Sequence, residues 1–196
     1  MIPVAIVDEF RDILQDSLHL LSTPRPVTIF GESSITVAGM PPYQMQDRLR
    51  LAADNHYIVG RPDSSALYIY NSDHELRQRL PVNVRSRAVR SAEIVELLDS
   101  YSDEHHHLIR ERIPDTKPPF LDFWVSEEYI WLLTNAGAEI KEIVALSFEG
   151  DFIGRLNLPV VDDIRYFREN RIYTLHKDPD LGHSIRIYEW ADLADI

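Results

Sequence analysis

The chain has 196 residues, 44% of them hydrophobic and 27% charged, with no Cys and a net charge of −12. A chain of this size buries roughly 70% of the surface its unfolded form exposes, so it needs no disulfide or metal to hold it together. The absence of Cys excludes thiol nucleophiles, CxxC redox pairs and thiolate zinc sites, and the acidic balance disfavours nucleic acid and anionic lipid as partners. No apolar run approaches the roughly 20 residues of a membrane-spanning helix, and no basic segment followed by an apolar one marks an export signal at the N-terminus.

Residues 1–43 carry the weakest pattern. Phe10, Ile13, Leu14, Leu18 and Leu21 fit one face of a helix, whereas Val4 to Val7 and Ile13-Leu14 fit two strands across a turn; the strand alternative is preferred. Val27 to Phe30 and Ile35 to Val37, either side of Gly31-Glu32-Ser33-Ser34, predict a hairpin.

Beyond residue 43 the chain repeats itself. Residues 44–82, 114–160 and 161–196 share one layout of short β-branched and aromatic runs between turn residues. Their second strands begin near Tyr57, Tyr129 and Ile172, and a fourth strand follows only in the first two copies, Leu76 to Pro81 and Phe152 to Pro159. The extra length between the first two copies falls at residues 91–113. There Ile94, Leu97, Leu98, Tyr101, Leu108 and Ile109 follow helical spacing, with Ser91 and Glu93 suited to the start, Arg110 and Arg112 to the end, and Pro114 as the stop. One inserted helix is expected.

The helix insertion, the re-entry Pro114-Asp115-Thr116-Lys117-Pro118-Pro119-Phe120, and the blade turns at Phe148-Glu149-Gly150-Asp151 and Leu158-Pro159 come in a fixed order. So do Tyr129-Ile130-Trp131 and Ile185-Arg186-Ile187-Tyr188. This pattern resembles the C-terminal half of bacterial six-bladed β-propellers of the NHL-like type, over about residues 44–196. The resemblance implies a single all-β domain, an incomplete β-propeller of about three to four blades, in which residues 1–43 form a partial blade. It also implies an exported or periplasmic setting, although this chain shows no export signal. Family members are longer, and the resemblance brings no catalytic residue with it.

Candidate metal ligands fall in two places. His176, Asp178, Asp180 and His183 crowd one loop, where a cation site competes with an ordinary turn favoured by Asp-Pro-Asp and Leu-Gly. Asp103 and His107, four residues apart, share a helix face, while His105-His106-His107 cannot converge on one ion because neighbours on a helix lie about 100° apart. A solvated helix face is the simpler account. Asp162-Asp163 is read as a blade-connecting loop rather than paired acid/base carboxylates, since adjacent strand residues face opposite ways. The aromatic series Tyr57, Tyr68, Tyr70, Phe123, Tyr129, Trp131, Phe148, Tyr173 and Tyr188 is assigned to filling between sheets, in preference to a ligand platform. Nucleophile-elbow, metalloprotease, Walker and dinucleotide motifs are all missing from the sequence.

No catalytic residue and no cofactor is assigned. An array too short to close into a ring leaves apolar faces and a strand edge uncovered, so a non-catalytic binding or scaffold module is expected, pairing with a second copy or with another propeller segment. The alternative is a propeller enzyme or metal-dependent sensor drawing on Asp54, Asn55, Asn135, Asp163 and Asn170 in or near interstrand connections.

Overall fold

The computed structural model describes residues 2–7, 13–23, 25–30, 35–53, 56–136, 139–169, 171–178 and 181–190. The chain divides into two compact units, residues 1–47 with 85–119 and residues 48–84 with 120–196. Among the described residues no helix is long and apolar enough to cross a membrane.

In the first unit β1 (Ile2–Val7) pairs with β2 (Ile13–Leu21), and β3 (Val27–Phe30) with β4 (Ile35–Gly39). The helical alternative for residues 10–21 is therefore not realised. Val4, Ile6, Val7 and Ile13 are β-branched, which favours the extended chain. The expected 91–113 helix forms as two pieces, α1 (Ser91–Leu98) and α2 (His106–Arg110), the second preceded by a 3-10 turn at Asp103–His105. Asp99, Ser100 and Ser102 interrupt it, as short polar side chains favour local backbone bonding over helix. The Tyr101 hydroxyl donates to the Met40 carbonyl at 2.8 Å, and the ring occupies the space that a Cβ at Gly39 would need. Val27, Leu98 and Ile109 form the buried core here.

Ser91 is the first helical residue rather than the cap. The Glu93 carboxylate caps α1 instead, accepting from the Arg90 backbone N–H at 2.9 Å and from Lys117 Nζ at 2.6 Å. Lys117 stands on the returning segment, whose Thr116 pairs antiparallel with Ala88, so the two arms of the insertion are tied at its base.

The second unit consists of three antiparallel meanders. The first is β5 (Arg48–Leu51), β6 (Tyr57–Arg61), β7 (Ala66–Tyr70) and β8 (Leu76–Pro81). The second is β9 (Asp122–Val125), β10 (Ile130–Ala136), β11 (Ile140–Leu146) and β12 (Phe152–Pro159). The last has three strands, β13 (Asp162–Arg168), β14 (Arg171–Asp178) and β15 (Gly182–Glu189). These are the three repeats of the sequence, with second strands starting within one residue of the expected places.

Equivalent turns use equivalent chemistry. Between third and fourth strands, Asn71 Oδ1 accepts from the N–H groups of Asp73 and Glu75. In the next copy Ser147 Oγ accepts from those of Glu149 and Asp151, beside Gly150 at φ +94°.

The sheets stack face to face. Ile58, Leu67 and Leu80 of the first sheet meet Phe123, Ile130, Leu132 and Val144 of the second, all fully or nearly buried. On its other face the second sheet places Trp131, Ile143, Ala145, Leu156 and Leu158 against Phe167 and Ile172 of the last. First strands lie innermost, with β9 beside both β5 and β13. Arg50 bridges β5 to β9, its Nε donating to the Phe123 carbonyl at 3.0 Å and its Nη2 to Asp122 at 2.8 Å. Among the described residues no sheet closes into a barrel. The architecture is all-β and propeller-like, an incomplete array.

Candidate functional site

The last sheet differs from its neighbours in what it leaves uncovered. Cross-strand register sorts its residues into two faces: Asp162, Ile164, Phe167, Ile172, Thr174, His176 and Tyr188 toward the middle sheet, and Asp163, Tyr166, Tyr173, Leu175, Ile185 and Ile187 away from it. Among the described residues, nothing in the second unit packs a sheet against the outward face. Tyr166 is 56% exposed, Ile187 54% and Ile185 73%. Tyr166 and Tyr173 lie against each other there, their ring centroids 6.2 Å apart. Around these apolar groups runs a charged border. Asp163 takes Lys177 at 2.8 Å and Arg165 at 3.4 Å, and Glu189 takes Arg171 at 3.0 Å. The Lys177 bond, assisted by nearby cations, holds the Asp163 carboxyl below its usual range.

The inward face is fastened by a buried carboxylate. Asp162 is fully buried; it accepts from His176 Nδ1 at 2.6 Å and from the Tyr188 hydroxyl, and Arg186 Nη1 lies 3.6 Å away. One side chain from β13 thereby ties β14 and β15. Burial first, and then the bond to Asp162, push the Tyr188 phenol up. A buried carboxyl group keeps this position because several partners satisfy its oxygens. Asp162 and Asp163 begin a strand instead of forming the expected loop, and their alternation turns one inward and the other outward.

This geometry separates the proposed metal ligands. His176 and Asp178 share the inward parity of β14, whereas His183 pairs opposite Lys177 and takes the outward one. His176 is engaged by Asp162, and Asp178 accepts from the Leu181 N–H at 2.9 Å, closing the turn into β15. Asp180 lies outside the described residues. In the first unit Asp103 sits in the 3-10 turn, 3.5 Å from His106 Nε2, and does not share a helix with the exposed His107. Among the described residues no cluster of three or more His, Asp or Glu is arranged to hold a metal. Of the five polar residues in the alternative, Asp54, Asn55 and Asn170 are not described. Asp163 is the second residue of β13 and Asn135 lies near the end of β10, both at the end of the array opposite the β13–β14 turn.

The aromatic series divides by burial. Phe123 fills the first interface, and Trp131 the second, stacked on Phe167 at 4.8 Å and edge-on to Trp190 at 5.0 Å. Tyr57 and Tyr70 stack on each other at 5.0 Å. Where the ends of β5, β9 and β13 meet, a cavity of about 130 Å³ opens between Leu51, Val125, Tyr166 and Arg168. Ser126 on its wall is already engaged with Tyr129 and Trp131 Nε1.

Asp162 and the outward face were the features that sequence reasoning missed. The alternation Ile185-Arg186-Ile187 carried a signal for the face, but nothing local marks Asp162 as buried. No protein-family model, no curated protein and no solved structure matches the chain.

Proposed function

We propose that the chain is a non-catalytic binding or scaffold module whose last sheet is its docking element and whose partner is a second copy. The observation that carries this is the exposed apolar outward face of the last sheet, with Tyr166, Ile185 and Ile187, at the end of an array whose other sheet-to-sheet contacts are closed. Stacked sheets bury both faces of each internal member, so the terminal member has an unfilled position. The resemblance to six-bladed propellers supports the same reading, since the chain supplies about half of such an array.

Light scattering at micromolar concentration tests it. The expected species is a dimer of about 45 kDa, twice the 22.7 kDa chain. A monomer across the whole concentration range overturns the proposal. Calorimetric titration with calcium and with zinc addresses the metal-dependent alternative, which requires heat of binding and a shift in melting temperature.

A further inference from the structure

We infer that two copies join edge to edge through β15, antiparallel and centred on Arg186, so that two three-stranded sheets become one of six strands. The inference rests on the self-association proposed above: joined this way, the two outward faces lie side by side on one sheet, and the exposed Ile185 and Ile187 of each copy pack against those of the other across the new seam.

Among the described residues the outer strands β8, β12 and β15 each pair on one side only, and they treat the other edge differently. β8 ends at Pro81 and β12 at Pro159, and each carries an irregularity against its neighbour, between Ile69 and Tyr70 and between Ala145 and Leu146. Proline lacks the N–H that a new strand would need, and a bulge twists an edge out of line; both devices block further pairing. β15 has neither. Its eight residues pair with β14 without a break, from Gly182 opposite Asp178 to Glu189 opposite Arg171. On its other side alternate N–H and C=O groups point away from β14.

The strand is also complementary to its own reverse. With Arg186 opposite Arg186, Ile185 meets Ile187 and His183 meets Glu189 on the outward face, while Ser184 meets Tyr188 on the inward one. Directly opposed residues share a face, so only registers shifted by even steps keep the two sheets continuous. A shift of two in one direction sets Ile187 against itself and Ile185 against Glu189, and in the other Ile185 against itself and His183 against Ile187; each keeps one Ile–Ile pair where the central register has two, and sets an isoleucine against a polar side chain. The one like-charged pair, Arg186 with itself, is eased because each guanidinium lies 3.6 Å from its own buried Asp162. Glu189 is already held by Arg171 at 3.0 Å, which orders it for the incoming imidazole. A chain of net charge −12 repels its copy over most of its surface. β15 sets His183 and Arg186 against the single acid Glu189, so repulsion is least there.

The chain contains no Cys, so single thiols report the register directly. Ile185→Cys and Ile187→Cys are made separately, oxidised alone and oxidised as a mixture. The expected result is a covalent dimer in the mixture and none in either variant alone, because like positions are diagonal neighbours about 7–8 Å apart and beyond disulfide reach. Ile185→Lys with Ile187→Lys sets lysines opposite one another and is expected to weaken the dimer at least roughly tenfold. Both positions are exposed, so circular dichroism is expected to be unchanged. Cross-linking in a single-variant sample, or a dimer that survives the lysines and gives no cross-link in the mixture, overturns the edge geometry and leaves self-association standing. A monomeric parent chain overturns both.

Discussion

The middle and last sheets of the second unit share strand order and lie against each other, yet among the described residues one is covered on both faces and the other on one. The difference is written in the strands. In β10 and β11 the runs Ile130-Trp131-Leu132-Leu133 and Ile143-Val144-Ala145-Leu146 are apolar at every position, because both parities are buried. In β15 Ile185-Arg186-Ile187-Tyr188 alternates, and its isoleucines point outward. A continuous apolar strand therefore marks an internal member of the stack, and an alternating one marks its boundary.

The largest test of that contrast sets two aromatic residues against each other. Trp131→Ala removes a 1% exposed indole stacked on Phe167 and edge-on to Trp190, and is expected to cost roughly 3–5 kcal/mol in urea unfolding. Tyr166→Ala, on the uncovered face, is expected to stay within about 0.5 kcal/mol at concentrations where the chain is monomeric. Equal losses would mean that the outward face is covered within the monomer, and the contrast would collapse.

The next test concerns how the boundary sheet is held without a second apolar face. Asp162→Ala leaves the His176 imidazole, the Tyr188 hydroxyl and the Arg186 guanidinium without their shared acceptor. A loss of roughly 3 kcal/mol is expected, since donors stranded in a part-buried site keep their desolvation penalty. Hydrogen exchange is expected to rise first in β15, which Asp162 ties to the other strands. Uniform acceleration across all three sheets would show that Asp162 supports the whole unit and not its last member.

Much of this contrast was legible beforehand, and the exceptions have physical causes. The three repeats, the three described strands of the last one and the interface roles of Phe123 and Trp131 follow from period and composition, which are local. The fate of Asp162 depends on His176, Tyr188 and Arg186, which come 14 to 26 residues later and meet it only in the folded sheet. Helical spacing correctly placed Ile94, Leu98 and Ile109 on a core face, but it was blind to the break at residues 99–102, where the Tyr101 bond to Met40 helps fix the chain. The metal candidates show a related limit. Proximity in sequence put His176 and His183 together, and strand parity sends them to opposite faces.

A smaller perturbation probes the seam between the two sheets. An added Cβ at Gly154 would fall 2.7 Å from the Trp190 ring. Gly154→Ala is expected to cost roughly 1–3 kcal/mol and to disturb Trp190 emission, because the ring must leave its place against Trp131. Full stability with unchanged emission would show that Trp190 does not close this interface.

The smallest effect is expected in the first unit, where ion pairing does what stacked aromatics do in the second. Glu93 holds the start of α1 and the arm bearing Lys117, and these bonds, the Lys117 one foremost, depress its pKa from 4.5 to about 2. A carboxylate with a lowered folded pKa adds stability that is complete above the unfolded value and is lost as pH falls through the folded one. The stability advantage of the parent chain over Glu93→Gln should therefore be constant above about pH 5.5, shrink between about pH 4.5 and 2, and vanish below. The Glu93 side chain is 18% exposed, and water still screens the pair, which keeps the advantage modest. Denaturation midpoints measured at half-unit steps of pH check this. An advantage that persists unchanged at pH 2 would mean that the neutral acid holds the α1 terminus as well as the carboxylate does, and that the insertion is fixed by its Leu98 and Ile109 core alone.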